Sequence, residues 1–508
     1  MNLRKFIKGE TGVPYEWNKE LYADILKSIS EIPEPTANVV RCITEDKYKH
    51  LVVDAEEEYF THPDGPYEGT KFDLKRDKEY TGKRLVRHVQ AVKFYGKVLQ
   101  QAIDDVAAAG GGQVIVPRGK FFVGAIVLRS GVDLHLCEGS KLHFMRNKTN
   151  EYYPVRLSRW EGVECMNFSP FIYADGGENI SITGFGTLDG AADEFNWMPW
   201  KFGYFGETDQ KIQREKLFEY SSKGTPVEER VFDDQVSTLR PPFIQFYHCK
   251  NVRIENITIK NSPFWEINPV LCENVLIRGV QIATDLYNND GVDPESSKNV
   301  LIDSCYFLTG DDCIAIKSGR NEDGRRIGVP SENIIIRRNR FANGHGGITT
   351  GSEISGGVRN VFADGNFFDS PNLDYPIRFK TNAMRGGRLE NIYVRNSVVN
   401  KSRVAVVHAD FYYEEGHEGE FLPLLQNVTL DGFSTAEGGS IDAEHALYMK
   451  GFPDAPIRNV TLRNMDLSGV KGEAVLRNVA DLTLDNVTIN GRKLADGTFS
   501  FNDNGERA

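Results

Sequence analysis

Three aspartates in two short segments of the chain could carry out acid–base chemistry. Asp290 lies in YNNDGVDPES (residues 287–296), and Asp311 and Asp312 lie in TGDDCIAIKSG (residues 309–319). Glycoside hydrolysis needs one group that protonates the leaving oxygen and another that acts as base or nucleophile at the anomeric carbon. Crowded carboxylates cannot all ionise easily, so one can stay protonated as the acid. These residues therefore favour acid-catalysed cleavage of a glycosidic bond.

Each aspartate segment also has an ordinary structural explanation. An isolated Asp-Gly, such as Asp290-Gly291, is usually a turn, and an Asp-Asp pair is usually a solvated turn or a calcium ligand. EF-hand spacing fails, because aligning the loop glycine with Gly291 puts Leu286 in first place and Ser297 in last. Calcium binding stays open as an alternative, but the expected hydrolysis needs no metal and no other cofactor.

Two later segments add a histidine and a pair of cations. His345 lies in NGHGGITTGSE (residues 343–353); alone it is more often structural, but beside carboxylates it could tune the acid's proton. Arg378 and Lys380 are two residues apart in YPIRFKTN, so on a strand they point to the same face. Arginine can grip a carboxylate with two hydrogen bonds while lysine adds a point charge. This pair predicts an acidic ligand.

The elements that must position these residues repeat along the chain. From about residue 179 onward a phrase returns that begins with Asn and continues apolar–x–apolar, and its later copies are spaced roughly 22–36 residues apart. The alternation is that of strands with one buried face. Asparagine tolerates left-handed geometry at a strand entrance and could stack into an amide ladder. The phrase starts at Asn179, Asn251, Asn274, Asn299, Asn333, Asn360, Asn391, Asn427, Asn459 and Asp481.

One such strand cannot bury its apolar face alone, but stacked coils can. The repeat therefore predicts an all-β solenoid, in which equivalent positions on neighbouring coils lie about 4.8 Å apart. Residues far apart in sequence, such as Asp290 and Asp311, could then form one cluster.

The predicted domains are an N-terminal extension (1–90) packed on the solenoid and a β-helix catalytic domain (91–508). Apolar residues at helical spacing over residues 94–109 predict a capping helix, which Gly110–Gly112 end. Residues 191–240 lack the repeat and have helical tendencies, so they form an insertion of the kind that often lies on a binding face. Its aromatic residues could line a sugar site or pack against the coils: Trp197, Trp200, Phe202 and Tyr204.

Composition excludes several classes of protein. The formal net charge of −12 over 508 residues argues against nucleic-acid binding, and no apolar stretch is long enough for a membrane span. No apolar signal region follows the N-terminal basic residues, which favours a cytoplasmic protein; the alternative is a periplasmic or secreted protein whose signal was removed. The seven scattered cysteines predict buried free thiols. No pattern indicates an oligomeric state.

The ordered motifs resemble the polygalacturonase family of glycoside hydrolases (family 28). They are Asn288-Asn289-Asp290, Gly310-Asp311-Asp312, Gly344-His345-Gly346 and Arg378-Phe379-Lys380, and the resemblance covers roughly residues 95–500. It implies a right-handed parallel β-helix that hydrolyses α-1,4-linked galacturonate with inversion.

The resemblance also implies roles for individual residues. Asp311 matches the general acid, Asp290 and Asp312 match the pair that activates water, and His345 matches a supporting residue close to the acid. Arg378 and Lys380 match the cations that hold the galacturonate carboxylate. Further expected substrate contacts are Asn288, Lys317, Arg385, Trp197, Trp200 and Tyr412.

A galacturonan is a polyanion, which the net charge of this chain would repel unless cations cluster locally. As a hypothesis, some of the remaining cations form subsites for neighbouring uronates; the alternative is that they make surface ion pairs. They are Lys317, Arg320, Arg325, Arg326, Arg385 and Arg388.

Longer phrases, such as RFKTNAMRGG, look most like the bacterial exo-acting branch of the family. The insertion 191–240 and the segment 410–423 could close the substrate cleft, which predicts release of galacturonate from the non-reducing end. The alternatives are an endo-polygalacturonase or a hydrolase of rhamnogalacturonan or unsaturated galacturonides. A calcium-dependent pectate lyase and a non-catalytic solenoid are less favoured.

Overall fold

A computed structural model of the chain describes residues 13–62 and 85–507. The chain divides into two compact units, the first formed by Lys27–Asp312 and the second by Met1–Leu26 with Cys313–Ala508. The boundary predicted at residue 90 stays a prediction, and part of that range, residues 1–12 and 63–84, lies outside the described residues.

Helices are few among the described residues, and the predicted capping helix is one of them. The side chains predicted to form its apolar face, Val98, Leu99, Ala102, Ile103 and Val106, are fully buried. Gly110 and Gly111 then adopt positive φ and end the helix, and the N–H of Gly111 donates to the carbonyl of Val106. The α-helices are α1 (Lys19–Ser30), α2 (Gly96–Ala108), α3 (Met198–Phe202), α4 (Gln210–Ser222) and α5 (Asn321–Ile327). Short 3₁₀ turns are Asp46–Leu51, Tyr204–Gly206 and Val227–Glu229.

Strands of the first unit stack in three parallel sheets. The longest sheet is formed by Val40–Cys42, Gly112–Val116, Val132–Leu136, Glu178–Gly184, Lys250–Glu255, Glu273–Arg278 and Lys298–Asp303. The second is formed by Gly119–Val123, Ser140–Phe144, Thr187–Asp189, Thr258–Lys260, Gln281–Thr284 and Tyr306–Thr309. The third is formed by Ile126–Val127, Ile172–Asp175, Ile244–Tyr247 and Ile267–Val270.

Two antiparallel pairs flank these sheets in the first unit. Val53–Thr61 pairs with Val86–Phe94, and Val155–Trp160 pairs with Val163–Phe168, which Val231–Phe232 extends.

The second unit repeats the parallel stacking. Its longest sheet is formed by Ser331–Arg337, Val358–Asp364, Arg388–Lys401, Leu424–Thr435, Ile457–Leu467 and Val479–Ile489. A shorter stack is formed by Arg340–Asn343 and Phe367–Asp369, and the last strands, Arg492–Lys493 and Gly497–Phe501, are antiparallel to Val479–Ile489. A third parallel sheet of the second unit contains Arg378, and we call it the Arg378 sheet. Its strands are Ile314–Ile316, Gly346–Thr350, Tyr375–Lys380, Ala405–Asp410, His445–Lys450 and Val475–Arg477.

The repeated phrase places identical residue types one above another in the core. In the first unit Ile182, Ile254, Ile277 and Ile302 pair in register on consecutive strands, and all four are fully buried. Burying one aliphatic side chain stabilises the fold by about 1.5–3 kcal/mol relative to its exposure. The fold is therefore the predicted all-β, right-handed parallel β-helix with an N-terminal capping helix.

Asparagines at the start of the phrases form the predicted amide ladders. In the first unit Asn251 donates to Asn179, Asn274 to Asn251, and Asn299 to Asn274, at 2.9–3.0 Å. In the second unit a ladder runs through Asn333, Asn360, Asn391, Asn427 and Asn459. All of these asparagines have positive φ, as predicted for the strand entrance.

Replacing Asn274 by alanine is expected to lower the free energy of unfolding, measured in urea, by about 3–4 kcal/mol. Alanine at φ 56° costs about 1–2 kcal/mol, and each of the two lost ladder hydrogen bonds contributes about 1 kcal/mol. The matched control is Asn274→Gly, which accepts positive φ and loses only the hydrogen bonds. Equal stability of the two variants would contradict the left-handed requirement.

The structure also bears on the predictions of buried thiols and of a chain without a membrane span. None of the seven cysteines forms a disulfide bond, and five of them are buried. Within residues 13–62 and 85–507, no helix has the length and apolar character needed to cross a membrane.

Candidate active site

The three predicted aspartates come together in the first unit. Asp290, Asp311 and Asp312 each offer a carboxylate oxygen, and these oxygens all lie within 4.8 Å of one another. Asp290 and Asp312 are buried, whereas Asp311 is half-buried. Carboxylates held this close repel one another when all are ionised, so the cluster favours retention of a proton or binding of a cation.

Backbone hydrogen bonds between coils set the position of Asp290. The N–H of Glu266 donates to the Asp290 carbonyl at 2.8 Å, and the N–H of Gly291 donates to the Asp312 carbonyl at 3.0 Å. The buried Asn289 side chain donates to the carbonyls of Ser262 and Phe264, both at 2.9 Å. These bonds explain how two aspartates distant in sequence reach one cluster.

The glycine of the Gly-Asp-Asp motif is required by close packing. A Cβ atom at Gly310 would overlap the carbonyl oxygen of Leu286, which belongs to the preceding coil. Glycine therefore lets the loop that carries Asp311 and Asp312 approach the loop that carries Asp290.

Sequence reasoning missed Arg240, which supports the cluster from the end of the insertion. Its fully buried guanidinium donates to the Asn288 side chain at 2.7 Å, and the Asn288 amide in turn lies 3.5 Å from an Asp311 oxygen. It also donates to the carbonyls of Pro263 and Tyr287 and to the side chain of Gln210 in α4. No local motif marks an arginine whose partners come from several coils.

Burial and nearby acids act in opposite directions on Arg240. Burial lowers its pKa to about 9, although the charges of Glu161 and Asp311 oppose the shift. The guanidinium therefore remains a cation at neutral pH. Asn288 is half-buried between this cation and Asp311, and its expected contact with substrate stays a prediction.

In the second unit, Arg378 and Lys380 share one face of the Arg378 sheet, as their spacing predicts. The Arg378 guanidinium lies 4.6 Å from the ring centre of Tyr375 and 5.7 Å from that of Tyr413. The Lys380 ammonium lies 5.3 Å from the same Tyr413 ring. Tyr413 is a second residue that sequence reasoning missed; it directly follows the predicted Tyr412.

Tyr412 points elsewhere, with an exposed ring that packs edge-on against Phe452 at 4.9 Å. Its N–H donates to the Asp410 carboxylate at 2.9 Å. Both tyrosines lie in the turn that follows Ala405–Asp410, where the two adjacent rings have different neighbours. The predicted substrate contact of Tyr412 is untested.

His345 has an exposed side chain, and its carbonyl accepts hydrogen bonds from the N–H groups of Asp374 and Tyr375. These bonds fix the backbone at the Gly-His-Gly turn. The role of its imidazole stays a prediction.

Two predicted substrate contacts, Lys317 and Arg385, are buried cations that pair with carboxylates. Lys317 is 2% exposed and pairs with Glu353 at 3.2 Å, and the fully buried Arg385 pairs with Glu414 at 2.7 Å. Burial alone would raise the pKa of Glu353, but Lys317 and other cations hold it well below its usual range. Both cations stabilise the packing of the second unit through these ion pairs, and their contact with substrate stays a prediction.

The other four cations of that hypothesis also make ion pairs, which is the alternative stated for them. Arg320 bonds Glu414 and Glu415, whereas Arg325, Arg326 and Arg388 pair with carboxylates close in sequence at 2.9–3.2 Å. The segment 410–423 is thereby anchored within the second unit through Glu414 and Glu415.

The tryptophans of the insertion are buried in this structure. Trp197 has no exposed surface and packs edge-on against Tyr153 at 5.4 Å, while Trp200 is 4% exposed and packs edge-on against Trp197 at 5.1 Å. Packing against the coils, the alternative for both, is what the structure shows, and a substrate role of either ring stays a prediction.

Comparison with known proteins places the chain in a family. The sequence profile of glycosyl hydrolases family 28 matches residues 230–497. The crystal structure of a hyperthermoactive exopolygalacturonase from Thermotoga maritima is 35% identical with a TM-score of 0.79, over 95% of this chain and 99% of that one.

Two curated relatives have different stated activities. An exo-poly-alpha-D-galacturonosidase from Dickeya chrysanthemi is 26% identical over 437 residues, which cover 79% of this chain and 69% of the relative. An endo-polygalacturonase from Pectobacterium carotovorum subsp. carotovorum is 28% identical over 360 residues, which cover 68% of this chain and 77% of the relative. With its aspartate cluster and Arg-x-Lys pair in place, this chain belongs to glycoside hydrolase family 28.

Proposed function

We propose that this hydrolase is an exo-polygalacturonase that removes galacturonate from the non-reducing end of α-1,4-linked galacturonides with inversion. The observation that supports hydrolysis is the cluster of Asp290, Asp311 and Asp312, whose carboxylate oxygens lie within 4.8 Å of one another. Support for the exo mode is the 35% identity to the Thermotoga maritima exopolygalacturonase over nearly the whole of both chains.

In the proposed mechanism Asp311 protonates the leaving oxygen while Asp290 and Asp312 activate water. The Asn288 amide beside Asp311 orients that carboxyl group, and the buried Arg240 fixes the amide. His345 assists the acid. Arg378 and Lys380 hold the carboxylate of a galacturonate, so methyl-esterified substrates are expected to be poor.

Stereochemistry provides one test of this mechanism. The carboxyl groups of inverting glycosidases are usually about 6.5–9.5 Å apart, which is wider than this cluster. The family resemblance assigns both Asp290 and Asp312 to one water molecule, so we expect the β-anomer as the first product. Proton NMR of the anomeric signal during the first minutes measures this. An initial α-anomer would indicate retention and would make Asp290 or Asp312 a nucleophile.

Product analysis tests the exo mode. The protein is incubated with unmethylated polygalacturonate or short galacturonides in the presence of a chelator, and products are separated by chromatography. Galacturonate monomer is expected from the earliest time points, with no rise in the ultraviolet absorbance of unsaturated products. The chelator excludes participation of calcium, which the aspartate cluster could otherwise bind.

Other products would favour the alternatives. A ladder of oligomers would indicate endo cleavage and would contradict the exo proposal. Unsaturated products whose formation the chelator abolishes would indicate a pectate lyase. Activity confined to rhamnogalacturonan fragments would indicate another specificity within the family.

A further inference from the structure

Outward-facing positions of the Arg378 sheet continue beyond Arg378 and Lys380. In strand register Arg378 pairs with His408, and His408 pairs with Tyr448. The neighbouring column runs through Lys380, Asp410, Lys450 and Arg477. Adjacent strands lie about 4.8 Å apart, so Tyr448 and Lys450 follow the Arg-x-Lys pair after about 10 Å.

This second position combines aromatic rings with a cation. The Lys450 ammonium lies 4.7 Å from the ring centre of Tyr448, and the Tyr448 ring stacks on His408 at 5.0 Å. Tyr448 and Lys450 are half-buried, so both retain surface for a ligand. An aromatic ring can pack against a sugar while an ammonium pairs with its carboxylate, and this combination suits a uronate.

Positive charge dominates this part of the sheet. Burial, followed by the charges of Arg378, Lys380 and Lys450, lowers the pKa of His408 to about 3, so His408 is neutral near neutral pH. Asp410 is the one carboxylate among the residues named in these two columns. Across the described parts of the chain no ion pair involves Lys450, in contrast to Lys317 and Arg385.

We propose that Tyr448 and Lys450 bind a second galacturonate of the same chain, two sugar residues toward the reducing end from the one held by Arg378 and Lys380. The inference rests on the proposed function, because it takes a galacturonide as substrate. A digalacturonate would not reach this position, whereas a trigalacturonate would. Lys450 and Tyr448 would then determine chain-length preference.

Kinetics on substrates of defined length test this site. The full chain and its Lys450→Met variant are compared on di- and trigalacturonate. We expect Lys450→Met to lower kcat/KM for the trimer about 10-fold, mainly through KM, and to leave the dimer unchanged, because one charge-assisted hydrogen bond is lost. The matched control is Lys471→Met, which removes an exposed lysine paired with Glu444 and should affect neither substrate.

Equal effects of Lys450→Met on both substrates, or an effect on neither, would overturn the second site. Binding distinguishes this failure from a failure of the proposed function. Titration of trigalacturonate into Asp311→Asn and into Asp311→Asn/Lys450→Met requires no turnover, and an about 10-fold weaker Kd is expected in the double variant. An unchanged Kd, or no binding by either protein, would reject the site; lack of turnover with Lys450-dependent binding would reject only the proposed reaction.

Discussion

Replacement of Asp311 by asparagine is expected to lower kcat for galacturonide hydrolysis about 10³-fold. Asparagine retains the size of the side chain but cannot protonate the leaving oxygen, and general acid catalysis contributes about 10²–10⁴-fold. KM is expected to change little, since the acid acts on the transition state. Initial rates over a range of oligogalacturonide concentrations measure both constants.

The control for Asp311 is Asp175→Asn, which removes an exposed carboxylate of the same unit that lies 3.2 Å from His248. It should retain the activity of the original protein. If Asp311→Asn kept more than about a tenth of kcat while Asp290→Asn or Asp312→Asn lost activity, the acid would have to be reassigned within the cluster.

Replacement of Arg378 by glutamine should raise KM and lower kcat/KM about 10²-fold on unmethylated substrate. Glutamine cannot form the charged, two-bonded contact that arginine makes with a carboxylate, and loss of such a contact costs about 2–5 kcal/mol. A methyl-esterified substrate already lacks that charge, so its kcat/KM should change far less. The ratio of activities on the two substrates is the measurement.

Two variants sharpen the interpretation of Arg378. Arg378→Lys keeps the charge, and its kcat/KM should lie between those of the original protein and Arg378→Gln. Lysine cannot form the paired hydrogen bonds that a guanidinium makes with a carboxylate. Arg388→Gln serves as control, since this arginine is exposed and pairs with Glu390 at 2.9 Å. Parallel losses on free and esterified substrates would show that Arg378 acts in folding and does not recognise the carboxylate.

Features that depend on local sequence were predictable. Positive φ at Asn274 and its relatives follows from residue type and from the position of each asparagine before an alternating strand. The helix α2 follows from its apolar spacing. The aspartate cluster follows from the stacking of successive coils, which turns regular distances along the chain into contacts.

Features that depend on distant partners were not predictable. Trp197 and Arg385 have residue types that suit sugar and carboxylate binding, and only their surroundings bury them. Tyr412 and Tyr413 differ by one position, and the path of the turn after Ala405–Asp410 decides which ring meets Arg378 and Lys380. The contact between Arg240 and Asn288 joins positions 48 residues apart.

The hydrogen bonds of Arg240 have a consequence for how the inserted segment can evolve. Gln210 in α4 bonds Arg240, and Arg240 bonds the asparagine beside the proposed acid, so the insertion is physically tied to the reaction centre. Recombination that exchanges this segment between relatives must therefore transfer Gln210 and Arg240 together. A chimera that changes only one of them would lose the hydrogen bond between residues 210 and 240, and with it the support of Asn288 beside the proposed acid.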